Sequence, residues 1–513
     1  MAETRDKLII MLSVMTATFL SALDQTIVAT ALPSIIASLG GIEFLSWIVS
    51  SYLLTSTITI VIYGKLSDMY GRKRLLILGI GIFLAGSVLA GLSQDIVQLV
   101  VFRAIQGIGG GAIMGTALAI IGDLFAPAER GKWQGLSGAV FALSSVIGPF
   151  LGGFITDVAG WHWIFFINVP IGLFSIAILT KFLPHIKVHS VKSVDYKGSV
   201  TLTLALVSMM LGLLIGGSYY PWVSVQTLGL FAFSAGMFVL FIQAEMNAKE
   251  PILPLSMFSN KIFLISSSVG FITSMGLFGA IVFIPLFVQF VLGRTATNSG
   301  LILTPLVLAM VGSSMVSGQV MSRTGKYKLM TVSGVGAVVA GMLMLSFMGV
   351  GTSDWELVRN MAIVGIGLGI TFPTFIIAVQ NAFDHSKIGV VTASLQFFRN
   401  IGGMFGVAIF GALLVASFNG NSSVAFVQNP EALLAGISSM TSEQVLAVKA
   451  VLSSSLGNIF LVSTAITSAA FVLTLFLKEI PLRKTHKPVL EEAGIELAEE
   501  EGFFNPKDEP VEK

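Results

Sequence analysis

There is no cysteine among the 513 residues. That removes thiol catalysis, disulfides and cysteine-ligated metals together. Charge is also scarce: Asp, Glu, Lys and Arg make up 11% of the chain, against roughly a quarter of a soluble domain. A soluble chain of this length would form several domains with charged surfaces, so a soluble enzyme, a secreted disulfide scaffold and a disordered protein are all excluded. Histidine is rare too. His162, His185, His189, His385 and His486 fall at a helix end, in loops and in the tail. No metal site and no nucleophile–base set is expected from them. What remains is apolar: 54% of 513, about 277 residues. A spanning helix needs about 20, so this would furnish about fourteen.

Apolar stretches fall at 8–31, 44–64, 75–93, 98–122, 133–156, 163–184, 198–217, 226–244, 262–288, 299–320, 329–349, 357–381, 389–416 and 456–477. The first resembles a signal peptide at its start, but its apolar character resumes after Asp24, so it reads as a retained span. With the N-terminus in the cytoplasm, inner loops and termini hold 24 of the 29 basic residues, and outer loops hold only Arg294 and Lys449. The positive-inside rule then places both termini in the cytoplasm. The six tryptophans fall at predicted helix ends or in short loops, where indole rings settle at the lipid boundary. The expected fold class is an all-α polytopic membrane protein of fourteen transmembrane helices.

The chain repeats itself. Gly64-Lys-Leu-Ser-Asp68-Met-Tyr-Gly71-Arg72-Lys73 recurs 254 positions on as Gly318-Gln-Val-Met-Ser322-Arg-Thr-Gly325-Lys326-Tyr. Arg103 followed by Gly107-Ile-Gly recurs as Arg359 followed by Gly365-Ile-Gly. The first six spans therefore match the last six, and two spans are inserted between them. The expected organisation is a six-helix bundle over 1–184, an insertion over 185–261, a second bundle over 262–478 with a long outer loop at 417–455, and a disordered cytoplasmic tail over 479–513. Related halves with a site between them near mid-membrane are how many secondary transporters are built.

Ionisable groups inside a bilayer are costly, so each is a functional candidate. Of 27 acids only Asp24 sits well inside a span, roughly 11 Å below the outer end of the first by helix rise. Arg103 enters the fourth span to roughly 9 Å, so the two can pair. Desolvation favours the protonated acid and a nearby arginine favours the carboxylate. A conformational change altering either would bind or release a proton. A static structural ion pair is the competing reading. Arg399 lies roughly 15 Å into its span with Gln396 and Asn400 nearby, a depth from which it does not snorkel easily. Gly107-Ile-Gly-Gly-Gly is not read as a dinucleotide fingerprint, because it lies within a span and no strand precedes it.

Together these features resemble the major facilitator superfamily, and within it the 14-helix drug:proton antiporter branch, over nearly the whole chain. Gly64-x-Leu66-x-Asp68-x-x-Gly71-Arg72-Lys73-Arg74 looks like the superfamily's loop signature. Arg103-x-x-Gln106-Gly107 looks like its fourth-helix motif. Gly148-Pro149-x-x-Gly152-Gly153 is similar to the fifth-helix antiporter motif, and Leu23-Asp24-x-Thr26-Ile27-Val28-x-x-Ala31-Leu32-Pro33 to the branch's first-helix motif. Trp161-x-Trp163-Ile-Phe-x-Ile-Asn168-Val-Pro170 also looks like that branch.

The resemblance implies a major facilitator fold of two pseudo-symmetric six-helix bundles plus two inserted helices, rocking about a central site. It implies that Asp24 carries the proton with Arg103 modulating it, and that Gly64, Asp68, Gly71 and Arg72 form a conformational latch. Ser322 replaces the latch acid in the second copy, so a latch there is expected to be weak. Polar or aromatic side chains within spans supply the cavity candidates: Gln25, Tyr52, Asn168, Gln289, Phe372, Gln396, Phe397 and Arg399.

The expected function is proton-coupled export of small amphipathic drugs, dyes or antiseptics, as lipophilic cations or neutral compounds, by alternating access. The alternatives are a nutrient symporter or facilitator, and a receptor or enzyme on a transporter scaffold. Protons serve as coupling ion, with no cofactor and no metal. Partners are small-molecule substrates and membrane lipids, with no nucleic acid. A monomer in a bacterial cell membrane is expected.

Overall fold

The computed structural model describes residues 2–124, 127–183, 195–216, 219–248, 251, 253–383, 388–419 and 442–481. Fifteen helices are named here. The first bundle comprises α1 (Ala2–Leu39), α2 (Leu45–Tyr70), α3 (Arg72–Gly91), α4 (Ile96–Leu124), α5 (Pro127–Ala159), α6 (Trp163–Phe166) and α7 (Asn168–Phe182). The insertion is α8 (Tyr196–Ile215) and α9 (Val225–Asn247). The second bundle comprises α10 (Lys261–Leu286), α11 (Ala296–Thr324), α12 (Lys328–Ser346), α13 (Asp354–Ala382), α14 (Ile388–Asn419) and α15 (Ser442–Leu475). Among the described residues thirteen segments are long and apolar enough to cross a membrane, α6 and α7 counting together as one. The apolar part of α5, Leu143–Ala159, is shorter, and with it each of the fourteen apolar stretches lies on a helix.

Three boundaries differ from the sequence reading. First, α1 does not stop at Ala31 but runs through Pro33 to Leu39. A proline costs one backbone hydrogen bond, a loss that neighbouring helices make tolerable in a span. Asp24 is thus near the middle of the apolar segment Leu8–Leu39 rather than close to its outer end. Second, the expected outer loop 417–455 is helical at both ends, in α14 to Asn419 and in α15 from Ser442. Ser and Ala make 442–455 look polar in bulk. Yet Val448, Val451, Leu452, Leu456 and Ile459 recur at helical spacing and all are buried. The remaining part, 420–441, lies outside the described residues. Third, the start of the tail is docked. The Tyr327 hydroxyl donates to the Lys478 carbonyl at 2.6 Å and accepts from Ile480 N at 3.0 Å, while Tyr327 N donates to Glu479 at 3.1 Å. The acidic cluster beyond lies outside the described residues.

The sequence repeat is also a packing repeat. In the first bundle α2 packs on α4, α3 on α4, α1 on α5 and α3 on α7. In the second, α11 packs on α13, α12 on α13, α10 on α14 and α12 on α15. The repeated loops share one device as well. Gly71 and Gly325 take φ of +95° and +69°, a region only glycine enters without strain, and each ends a long helix and turns the chain into the next.

Two seams join the bundles, α5 with α11 and α2 with α14, and the repeat exchanges one with the other. Both are tight at one end. A Cβ on Gly153 would lie 2.2 Å from the Ala296 carbonyl, one on Gly300 2.0 Å from the Pro149 carbonyl, and one on Gly411 1.6 Å from Ser46 Oγ. In lipid, small residues let backbones approach where no hydrophobic force would drive them together. This closed end is the one that the Lys and Arg distribution assigns to the outside. Toward the other end, a Cβ on Gly64, Gly312 or Gly318 would meet nothing within 4 Å. The α8–α9 pair packs on itself, and α8 also touches α2 and α14.

Candidate functional site

The sequence pairs Asp24 with Arg103, and the structure brings them together inside the first bundle. Arg103 Nη1 donates to Asp24 Oδ2 at 2.5 Å, with 2% and 0% of the two side chains exposed. The other carboxylate oxygen, Oδ1, accepts from Gln106 Nε2 at 2.8 Å and from Asn168 Nδ2 at 3.1 Å. Ser87 Oγ accepts from both amides, at 3.1 and 2.9 Å, and donates to the Phe165 carbonyl at 2.8 Å. The Arg103 guanidinium lies 4.3 Å from the Tyr52 ring centroid, and Arg103 Nη1 also donates to Gln106 Oε1 at 2.6 Å. One acid, one base, two amides, a hydroxyl and an aromatic face thus form a buried cluster drawn from α1, α2, α3, α4 and α7.

Helix geometry explains the assembly. Arg103 and Gln106 are three apart on α4 and so share a face. Gly86 on α3 lets α4 come so close that a Cβ there would stand 2.5 Å from Gln106 N, which places neighbouring Ser87 against the Gln106 amide. Gly107 does the same toward α2, where a Cβ would meet Thr55 Oγ1 at 2.1 Å. A buried ion pair is weak evidence of stability, but removing one partner strands the other at about 3–5 kcal/mol.

Two residues change role. Tyr52 and Asn168 are expected to contact substrate; instead Tyr52 is fully buried beneath Arg103 and Asn168 holds Asp24. Gln289 is also elsewhere. It sits in the π-helical turn Phe287–Val291 and donates to the Thr30 carbonyl and to Ser299 Oγ, both at 2.9 Å, bracing a contact between bundles. Phe397 faces Phe398 within the apolar core. Gln25 is half-buried beside Asp24 on α1. Phe372, Gln396 and Arg399 do meet, lining one pocket between α10, α13 and α14.

Of the latch residues, Arg72 Nη1 donates to the Gly64 carbonyl at 3.2 Å and to Ser67 Oγ at 2.5 Å. The side chains of Asp68 and Ser322 lie outside the described residues. The fifth-helix motif faces two ways. Gly148 and Gly152 abut Thr26 and Ile27 of α1, while Pro149 and Gly153 meet α11 across the seam. Arg359, the counterpart of Arg103, is exposed and hydrogen-bonds to Asn360 rather than to an acid. Among the described residues the acid–base cluster therefore belongs to the first half only.

Sequence reasoning names Gln106 only within the fourth-helix motif, with no role of its own, and passes over Ser87. The first was legible from its spacing to Arg103; nothing local marks the second. It also passed over Asp157, near the end of α5. This carboxylate accepts from Ala296 N at 3.2 Å, from Thr297 N at 2.8 Å and from the Thr297 hydroxyl, capping α11 across the closed seam. An N-terminal cap of this kind contributes about 1 kcal/mol. Replacing Asp157 by alanine is expected to raise the labelling rate of a Ser299→Cys probe about fivefold, and the absence of native cysteine keeps that signal clean. Equal rates in both backgrounds would show that the cap does not hold the seam.

The family profile described as Major Facilitator Superfamily matches residues 14–407. The chain belongs to the Major Facilitator Superfamily. Among its superfamily relatives, "Multidrug transporter protein MdtP" of Bacillus subtilis is 38% identical over 498 residues, covering 91% of this chain and 92% of that one. "Multidrug resistance protein 3" of the same organism is 41% identical over 417 residues, covering 81% of each. Among solved structures, a bacterial homolog of the human lysosomal transporter Spinster aligns with TM-score 0.64 at 16% identity, over 94% of this chain and 99% of that one. An auto-inhibited POT family peptide transporter aligns with TM-score 0.64 at 12% identity, over 93% and 99%. The last two bear on the fold alone. This superfamily member is a multi-span membrane transporter.

Proposed function

We propose that the protein exports small amphipathic compounds, drugs and dyes among them, in exchange for protons. The observation that carries this reading is Asp24. Among the described residues it is the only carboxylate in the middle of a span, and both its oxygens are held by donors. The names of the Bacillus subtilis relatives support the substrate class.

The cluster makes a coupling device as follows. While Arg103 neutralises Asp24, the carboxylate needs no proton. If the helices move so that Arg103 withdraws, an unpaired carboxylate at that depth is costly, and binding a proton removes the cost. Gln106, Asn168 and Ser87 keep the acid oriented through the exchange. Arg103 in turn retains the Tyr52 ring as a cation–π partner. The bundles meet tightly at the end assigned to the outside, so this state loads from the cytoplasm. Opening the two glycine-lined seams would release substrate outside, where protons enter.

Everted membrane vesicles acidified inside test the reading directly. They are expected to accumulate an amphipathic dye and to stop when an ionophore collapses the gradient. Dye moving in the same direction as protons would establish symport instead, and an absence of gradient-driven movement would refute coupling.

A further inference from the structure

The pocket in the second bundle holds a cation without a counter-ion. Its polar side is Arg399, Gln396 and Thr392 of α14 with Ser266 of α10, and its apolar side includes Phe372 and Phe375 of α13 and Leu395. The residues lie in the first half of α10 and α14 and the second half of α13, which places the pocket in the half assigned to the cytoplasm. The Arg399 guanidinium stacks on Phe372 at 3.6 Å from the ring centroid, and Nη1 donates to Gln396 Oε1 at 3.2 Å. Among the described residues no carboxylate pairs with it, in contrast to Arg103 with Asp24 and Arg294 with Asp354. Arg399 Nε is covered and has no hydrogen-bond partner, and neither has the hydroxyl of fully buried Ser266.

A guanidinium carries five donors in a fork that fits a carboxylate. Buried donors left without acceptors are costly, and an uncompensated cation at this depth marks a site by default. A lipophilic cation entering this pocket would meet like charge. An amphipathic molecule with one carboxylate would neutralise Arg399, give Ser266 an acceptor, and lay its apolar body against Phe375 and Leu395. We infer that this pocket recognises the carboxylate of anionic or zwitterionic amphipathic substrates. The inference rests on the export reading and narrows the substrate class, which the sequence leaves open between lipophilic cations and neutral compounds.

The probes are rhodamine B, which carries a free carboxylate, and its ethyl ester, which does not. Affinities are read by fluorescence anisotropy with the full-length protein in phosphatidylcholine nanodiscs, where no anionic lipid competes. The wild type is expected to prefer the carboxylate form. Arg399→Gln is expected to lower the carboxylate-to-ester affinity ratio at least about tenfold, Arg399→Lys to restore part of it, and Ser266→Ala to lower it about threefold. A ratio unchanged by Arg399→Gln, or a wild type that prefers the ester, would overturn the inference. If Arg399→Gln does not fold by thermal melt, Arg399→Lys and Ser266→Ala decide by the same ratio. Binding is read without transport, so failure of gradient-driven export refutes the export reading and leaves this ratio standing as its own result.

Discussion

Asp24→Asn is expected to lower pH-gradient-driven export at least about a hundredfold while the protein still inserts and binds dye. Asparagine keeps the shape of the acid and one acceptor oxygen but cannot take up a proton. It also leaves Arg103 buried beside a neutral group, at a cost of about 3–5 kcal/mol. That cost could itself unfold the bundle, so the charge-free pair Asp24→Asn with Arg103→Gln serves as control. It removes the stranded cation, and is expected to recover thermal stability without recovering coupling. Proteoliposomes with an imposed gradient provide the transport measurement. Export by Asp24→Asn at the wild-type rate would mean that the acid is a structural pair and that protons travel elsewhere.

The second large effect is expected at the seam. In Gly153→Val even the first carbon added would fall 2.2 Å from the Ala296 carbonyl, inside any allowed contact. Backbone cannot yield there as a flexible side chain could, so α5 and α11 must part. Overpacking of this kind costs about 1–3 kcal/mol and occasionally more, enough to shift a two-state equilibrium about tenfold or beyond. Turnover is expected to fall at least about tenfold with insertion unaffected. The Ser299→Cys probe should label faster, because the end that closes over Ser299 no longer seals. Gly153→Ala should lie between the two. Normal turnover in Gly153→Val would show that this close approach is not part of the transport cycle.

Most of the architecture was legible because lipid leaves a chain few choices. Each span must satisfy its own backbone, so long apolar runs become helices, and the repeat of Gly71 at Gly325 marks two equivalent turns. One boundary differs because composition hides periodicity. Residues 442–455 look polar in bulk, while Val448, Val451 and Leu452 form a buried helical stripe.

The Asp24–Arg103 pair was legible because both charges are conspicuous at depth. The partners of Asp24 were less so. Asn168 and Tyr52 read as polar or aromatic groups within spans, but sequence gives no direction to a side chain. Only packing of α2 and α7 against α1 and α4 turns Asn168 toward the acid and Tyr52 toward Arg103 rather than a substrate. Asp157 lies near a helix end, where acids are unremarkable, and its meaning depends on a helix start 139 residues away.

The central claim is that a proton on Asp24 and a substrate oppose each other. Linkage requires that if the proton weakens substrate binding, substrate weakens proton binding equally. The decisive measurement is the affinity of the wild type and of Asp24→Asn, between about pH 5.5 and 8, for an exported dye whose own charge is constant over that range. The wild type is predicted to bind more weakly as pH falls, with a slope approaching about one proton per dye, and Asp24→Asn to give a flat profile. The same slope in both proteins would contradict the account.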